Sequence, residues 1–169
     1  AYDLFLMGYM AQNIFIEARD GFKLSSIIRR PNSKIKGVIQ INCGTGIPQN
    51  LYFNLANYLT ESGYVTVTYD YRGIGNSKPE SLKGFQANLE DWGILDMTSI
   101  FDWINHEYPS ERKIIIGHSM GGQLVGLGHL AGPQLFTASM VRKGKPAPDL
   151  FLHAAAQMGA DPARCLVIE

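Results

Sequence analysis

Gly117-His118-Ser119-Met120-Gly121 places a serine between two glycines, each two residues away, and the flanking residues give that spacing a chemical meaning. Lys113-Ile114-Ile115-Ile116 before it is an apolar run of strand length, and Gly122-Gln123-Leu124-Val125 after it permits a helix. Strand, sharp turn and helix in that order lift a serine hydroxyl to the carboxyl end of a buried parallel strand, with small neighbours because the backbones crowd there. Such a serine suits acyl transfer, since N–H groups at the start of the next helix can hold the negative charge that develops on the acyl oxygen. The hydroxyl stays a weak nucleophile until a base takes its proton, and an acid must hold that base in the right tautomer. The four histidines are His106, His118, His129 and His153. His118 is inside the turn and is expected to point away from Ser119. His106 sits near the end of a long helical segment, and His129 and His153 fall in stretches that read as helix. Cys43 and Cys165 lie far apart in strand-like settings, with no C-x-x-C or His-rich spacing, which argues against a disulfide framework or a zinc site. Cys43 reads as a small buried hydrophobe rather than a second nucleophile.

The elements that must carry Ser119 are legible upstream. Residues 13–18 and 22–30 are two β-type runs joined by Arg19-Asp20-Gly21, a hairpin signal. Pro31-Asn32-Ser33 ends the second, and a strand over 37–42 then runs into the glycine-rich Cys43-Gly44-Thr45-Gly46. Pro48 suits the first turn of a helix whose apolar face is expected to be Leu51, Leu55, Tyr58 and Leu59, closed by Gly63. A strand over 64–69 follows, with the polar loop Asp70-Tyr71-Arg72-Gly73-Ile74-Gly75-Asn76-Ser77. Leu89, Gly93, Met97, Ile100, Ile104 and Tyr108 recur at helical spacing up to Pro109. Trp92 and Trp103 read as packing aromatics. Glu90, Asp91, Asp96 and Asp102 read as a solvated or locally paired face rather than a metal site, because no histidine stands at ligand spacing. Strands alternating with helices predict a parallel sheet covered on both sides, a three-layer α/β/α sandwich with an antiparallel entry hairpin.

Bulk properties narrow the partners. The 169 residues are 46% apolar, with 15 basic and 15 acidic side chains, so no net field favours nucleic acid or an anionic membrane. The opening ten residues are apolar but carry Asp3, lack a basic leader and are too short to span a bilayer. Residues 1–12 remain an unassigned leader, and a cytoplasmic location is the default expectation. No cofactor is expected.

Over residues 13–130 the chain resembles the amino-terminal part of an α/β-hydrolase, on the entry hairpin, the Asn42-Cys43-Gly44-Thr45-Gly46 strand end, the 70–77 loop and the 117–122 turn, in that order. The resemblance implies that Ser119 is the nucleophile and that the backbone N–H groups of Met120 and Thr45 hold the oxyanion. Many relatives carry His-Gly where this chain has Cys43-Gly44. The family also requires an acid and then a histidine downstream. By position the candidates are Glu169 for the acid and His129 or His153 for the base, none of them in the family's usual setting.

From residue 135 the sequence resembles instead the late part of a haloacid-dehalogenase-type phosphatase, through Gly144-Lys145-Pro146-Ala147-Pro148-Asp149 and Cys165-Leu166-Val167-Ile168-Glu169. In that family the lysine matching Lys145 steadies phosphate and the acidic run beginning at Glu169 helps hold magnesium. Its nucleophilic Asp-x-Asp occurs nowhere in these residues, so Lys145 is a remnant without phosphatase chemistry, and no metal is expected. Two family fragments imply a hybrid, engineered or recombined, with a core over 13–134 and a helix-strand segment over 135–169 extending the same sheet. The expected function is serine-dependent hydrolysis of a small-molecule acyl ester with an incomplete triad. The alternatives are a catalytically empty scaffold and, more remotely, a phosphatase. Self-association through an exposed sheet edge is a further expectation.

Overall fold

A computed structural model describes residues 9–126, 141–143, 147–149, 152, 153 and 156, and the chain divides into two compact units, Ala1–Leu130 and Ala131–Glu169. The first unit is built on five strands, β1 (Tyr9–Glu17), β2 (Lys23–Pro31), β3 (Val38–Asn42), β4 (Val65–Tyr69) and β5 (Lys113–Gly117), in the spatial order β1-β2-β4-β3-β5. β1, β2 and β4 pair antiparallel, whereas β4, β3 and β5 run parallel. Every residue of β3 and β4 is buried, as strands covered on both faces must be.

Alternation along β4 divides those faces. Thr66 and Thr68 turn one way: the Thr66 hydroxyl meets that of Thr60 at 2.9 Å, and Thr68 donates to Gln49 Oε1. Both partners belong to the segment of a 3-10 turn (Gln49–Tyr52) and helix α1 (Phe53–Glu61). On the other face Gln40 of β3 donates to Met97 O, in the segment leading to helix α2 (Thr98–Glu107), and Met97, Ile100 and Ile104 bury beside it. Helix, sheet and helix are the three expected layers.

Several local expectations change. β1 starts at Tyr9, inside the stretch read as a leader, because its register with β2 continues to Tyr9↔Pro31. The hairpin connection is five residues rather than three, closed by Ala18 N–H to Phe22 O and Gly21 N–H to Ala18 O. Pro48 precedes the first turn instead of occupying it. The buried stripe is Tyr52 of the 3-10 turn with Ala56 and Thr60 of α1, while Leu51 and Tyr58 are 64% and 68% exposed and, of the expected face, Leu59 packs partly buried against the core. A polar seam on β2 and β4 explains this choice. Buried Arg29 bonds Asn57 and Thr68 and lies 4.5 Å from the Phe53 ring centroid, so that face is matched by hydroxyls and a guanidinium rather than by leucines.

The long second helix begins as a π-helical segment (Asp91–Met97), and Thr98 Oγ1 donates to Gly93 O five residues back. This segment buries Asp96, which the sequence reading had placed on a solvated or locally paired face. Asp96 pairs with Arg72 at 2.7 Å and accepts from the Arg72 backbone N–H, and Arg72 also pairs with Asp20 at 2.7 Å. Hairpin, β4 loop and helix are thereby clamped together. Trp92 stacks on Tyr71 with centroids 4.9 Å apart, a packing role. Among the described residues no helix is long and apolar enough to cross a membrane. In the second unit, Leu152 N–H donates to Pro148 O at 3.0 Å, one helical turn within the expected helix-strand segment over 135–169.

Candidate active site

β5 delivers Ser119. His118 N–H donates to Asn42 O at 3.1 Å, extending the β3–β5 ladder by one bond, and the chain then reverses. Ser119 takes φ 51° and ψ −119°, and among the described residues it is the one non-glycine with positive φ. A backbone held in so sparsely populated a region needs surroundings that impose it, and such strain concentrates at reactive sites. The surroundings are visible. A methyl on Gly117 would lie 2.5 Å from Gly122 Cα, and one on Gly121 would strike the carbonyl oxygens of Asn42 and Cys43. Only glycines allow strand and helix α3 (Met120–Gln123) to approach this closely. The turn closes through Gly121 N–H to His118 O at 2.9 Å and Gly122 N–H to Ser119 O at 3.0 Å. The Met120 N–H is not among these donors, and Ser119 itself is exposed.

The second wall is the loop after β3. Ile47 N–H donates to Gly44 O at 3.2 Å, Gly46 takes φ 70°, and Gly44 N–H donates to Tyr52 Oη at 2.9 Å. Exposed Thr45 stands between these anchors. Beneath the two walls, Asn42 joins them: its Nδ2 reaches Gly121 O at 3.4 Å while its Oδ1 accepts from Tyr69 Oη and Gln40 Nε2. Cys43 is fully buried with its sulfur 3.3 Å from Tyr69 O, and burial, assisted by the charge of Asp70, pushes its thiol up to about 12. It is a protonated packing group rather than a nucleophile. Asp70 accepts from the backbone N–H groups of Gln49 and Asn76 and from Gln49 Nε2, so it braces the loop after β4 rather than offering an acid to Ser119.

Comparison with known proteins assigns this architecture. Residues 33–162 match the model of the serine aminopeptidase S33 hydrolase family. The chain belongs to this family. The S33 fold is shared with a solved carboxyl esterase from Bacillus coagulans, with a TM-score of 0.62, 22% identity, and coverage of 72% of this chain and 41% of that one. A monoglyceride lipase homologue of Monkeypox virus is 28% identical over 136 residues, which are 77% of this chain and 48% of that protein. A short match of 29 residues, 66% identical, covers 17% of this chain and 8% of a bifunctional riboflavin kinase/FMN phosphatase of Arabidopsis thaliana. The chain spans half or less of the length of the curated S33-like relatives it matches.

The turn after β5 holds Ser119 and Met120, and the loop after β3 that faces it holds Thr45. His153 is half-buried within the second unit, and His106 is exposed on α2. His129, Lys145 and Glu169 lie outside the described residues. His118 is not a bystander: its Nδ1 lies 2.8 Å from Tyr52 Oη. Tyr52 was not singled out in the sequence, and Asn42 stood out only as the end of the strand before Cys43. Among the described residues no cluster of His, Cys, Asp or Glu could hold a metal. A cleft of about 600 Å³ opens elsewhere, lined by Asp20, Arg72, Phe85, Asn88, Asp91 and Leu95, with no residue of the serine turn in its wall.

Proposed function

We propose that this chain carries the nucleophile half of a serine hydrolase acting on carboxylic esters. Ser119 attacks the acyl carbon, and the N–H groups of Met120 and Thr45 receive the oxyanion. The observation that carries the reading is the strained Ser119 backbone, φ 51° and ψ −119°, imposed by glycines that admit no side chain. The names of the relatives, a monoglyceride lipase homologue and a carboxyl esterase, support the ester class. The base and acid belong downstream of Ser119, with His129 or His153 and Glu169 as candidates. A fluorophosphonate probe reports an activated serine without a chosen substrate. Stoichiometric labelling at Ser119, located by mass spectrometry and abolished in Ser119→Ala, is the expected result. A folded sample that stays unlabelled overturns the reading in favour of a scaffold without turnover.

A second reading concerns composition rather than chemistry. The haloacid-dehalogenase-like segment over 135–169, and with it a hybrid chain, draws support from the 29-residue match to a riboflavin kinase/FMN phosphatase. The S33 match running to residue 162 weighs against a sharp junction at residue 135. No phosphatase activity is proposed, since Asp-x-Asp is absent from the chain.

A further inference from the structure

The Tyr52 hydroxyl stands between the two walls of the proposed oxyanion site. Its oxygen accepts from Gly44 N–H at 2.9 Å, one residue before Thr45, and lies 2.8 Å from Nδ1 of His118, two residues before Met120. The phenol has one proton and two acceptor lone pairs, so it accepts from Gly44 and still bonds Nδ1, in the direction that the His118 tautomer sets. Burial raises the phenol above its ordinary value, which keeps that proton in place. The ring of Tyr52 is itself held: Tyr52 is buried at the start of the α1 segment and meets the His118 ring edge-on, with centroids 6.0 Å apart. His118 in turn lies over Gly44, where an added methyl would stand 3.0 Å from Nδ1.

We propose that Tyr52 is a positioning residue that sets the separation of the Thr45 and Met120 N–H groups by tying Gly44 to His118. This rests on the reading of Ser119 as nucleophile. An oxyanion needs both donors at hydrogen-bond distance from one point, and the bonds that join the walls below, His118 N–H to Asn42 O and Asn42 Nδ2 to Gly121 O, stop short of Gly44 and Thr45, which the Tyr52 hydroxyl reaches. Loosening the tie leaves the serine and its probe-binding surface intact while misplacing the donors. The cost therefore falls on the chemical step.

The test uses Tyr52→Phe, which removes only the hydroxyl, His118→Ala, and the double variant, all in the full chain. Fluorophosphonate labelling is resolved into reversible affinity and maximal rate, and amide hydrogen exchange is followed at Gly44. The maximal rate is expected to fall on the order of tenfold in Tyr52→Phe, with affinity within about twofold, as a small misplacement of catalytic groups implies. Gly44 exchange should accelerate, and the double variant should be no slower than the worse single one, because both changes cut one path. Wild-type rate with unchanged Gly44 exchange in Tyr52→Phe, or losses that multiply in the double variant, overturns the proposal. If the wild type does not label, the nucleophile reading fails and Gly44 exchange alone decides whether the tie exists: faster exchange in Tyr52→Phe supports it, and unchanged exchange refutes it. Should Tyr52→Phe fail to fold, the exposed His118→Ala decides by the same rate and exchange measurements.

Discussion

At the residue scale, the glycines of the serine turn are needed for two separable reasons, space and conformation. A Cβ at Gly121 meets the Cys43 carbonyl oxygen at 2.5 Å and the Asn42 oxygen as well, backbone atoms of the last residue of β3 and the one after it. At Gly46 a Cβ meets nothing within 4 Å, but φ is 70°. Gly121→Ala should therefore lose about 1–3 kcal/mol by overpacking, with displacement of α3. Gly46→Ala should lose about 1 kcal/mol from the left-handed backbone alone. Urea unfolding of the two variants checks the order. Equal losses would mean that close approach of β3 and α3 is not what demands a glycine at 121. The crowding was legible as Gly-x-Ser-x-Gly, because glycine spacing reports local geometry. The identity of the crowding atoms was not, since Asn42 and Cys43 lie nearly eighty residues away in sequence.

At the element scale, the buried Arg72 cluster joins the hairpin, the β4 loop and the π-helical segment. Its two carboxylates titrate in opposite senses. Arg72 holds Asp20 below the ordinary aspartate value, so its stabilising contribution is present above that value and lost as pH falls. Burial pushes Asp96 up to about 6 against the pull of Arg72. Between pH 4 and 6 the folded state then keeps a proton on Asp96 that the unfolded chain has released, so this group lowers stability as pH rises, on the order of 3 kcal/mol at most. Asp96→Asn removes that slope. Unfolding free energies at pH 4.5 and 7 should show wild type losing ground relative to Asp96→Asn as pH increases, whatever the offset between them. Parallel pH curves would place the Asp96 titration elsewhere. The helical spacing of residues 89–108 announced a helix but neither its π-helical start nor the burial of Asp96 against Arg72, a partner 24 residues upstream.

At the scale of the whole molecule, the chain divides into Ala1–Leu130 and Ala131–Glu169, and its S33 match spans both. Boundaries between compact units carry few contacts and are preferred cleavage sites. Limited proteolysis should yield a resistant fragment ending within a few residues of Leu130, with the strained Ser119 turn retained, as intact-mass analysis would show. First cuts within β3 or β4 would contradict this division.

What the sequence by itself determined is what neighbouring residues enforce: the hairpin at Asp20-Gly21, the strand runs rich in isoleucine, valine and threonine, and a glycine-bracketed serine whose turn has one feasible shape. These are short-range requirements on φ, ψ and space, and they act over a few residues wherever the segment sits. Only the tertiary structure decided that the 3-10 turn and α1 bury Tyr52, Ala56 and Thr60 and leave Leu51 and Leu55 exposed, that Asp96 goes inside, and that Tyr52 meets both Gly44 and His118. Those outcomes depend on which strands become neighbours. The order β2-β4-β3-β5 sets the polar seam of Arg29, Thr66 and Thr68 against α1, and places the ends of β3 and β5 side by side beneath the serine.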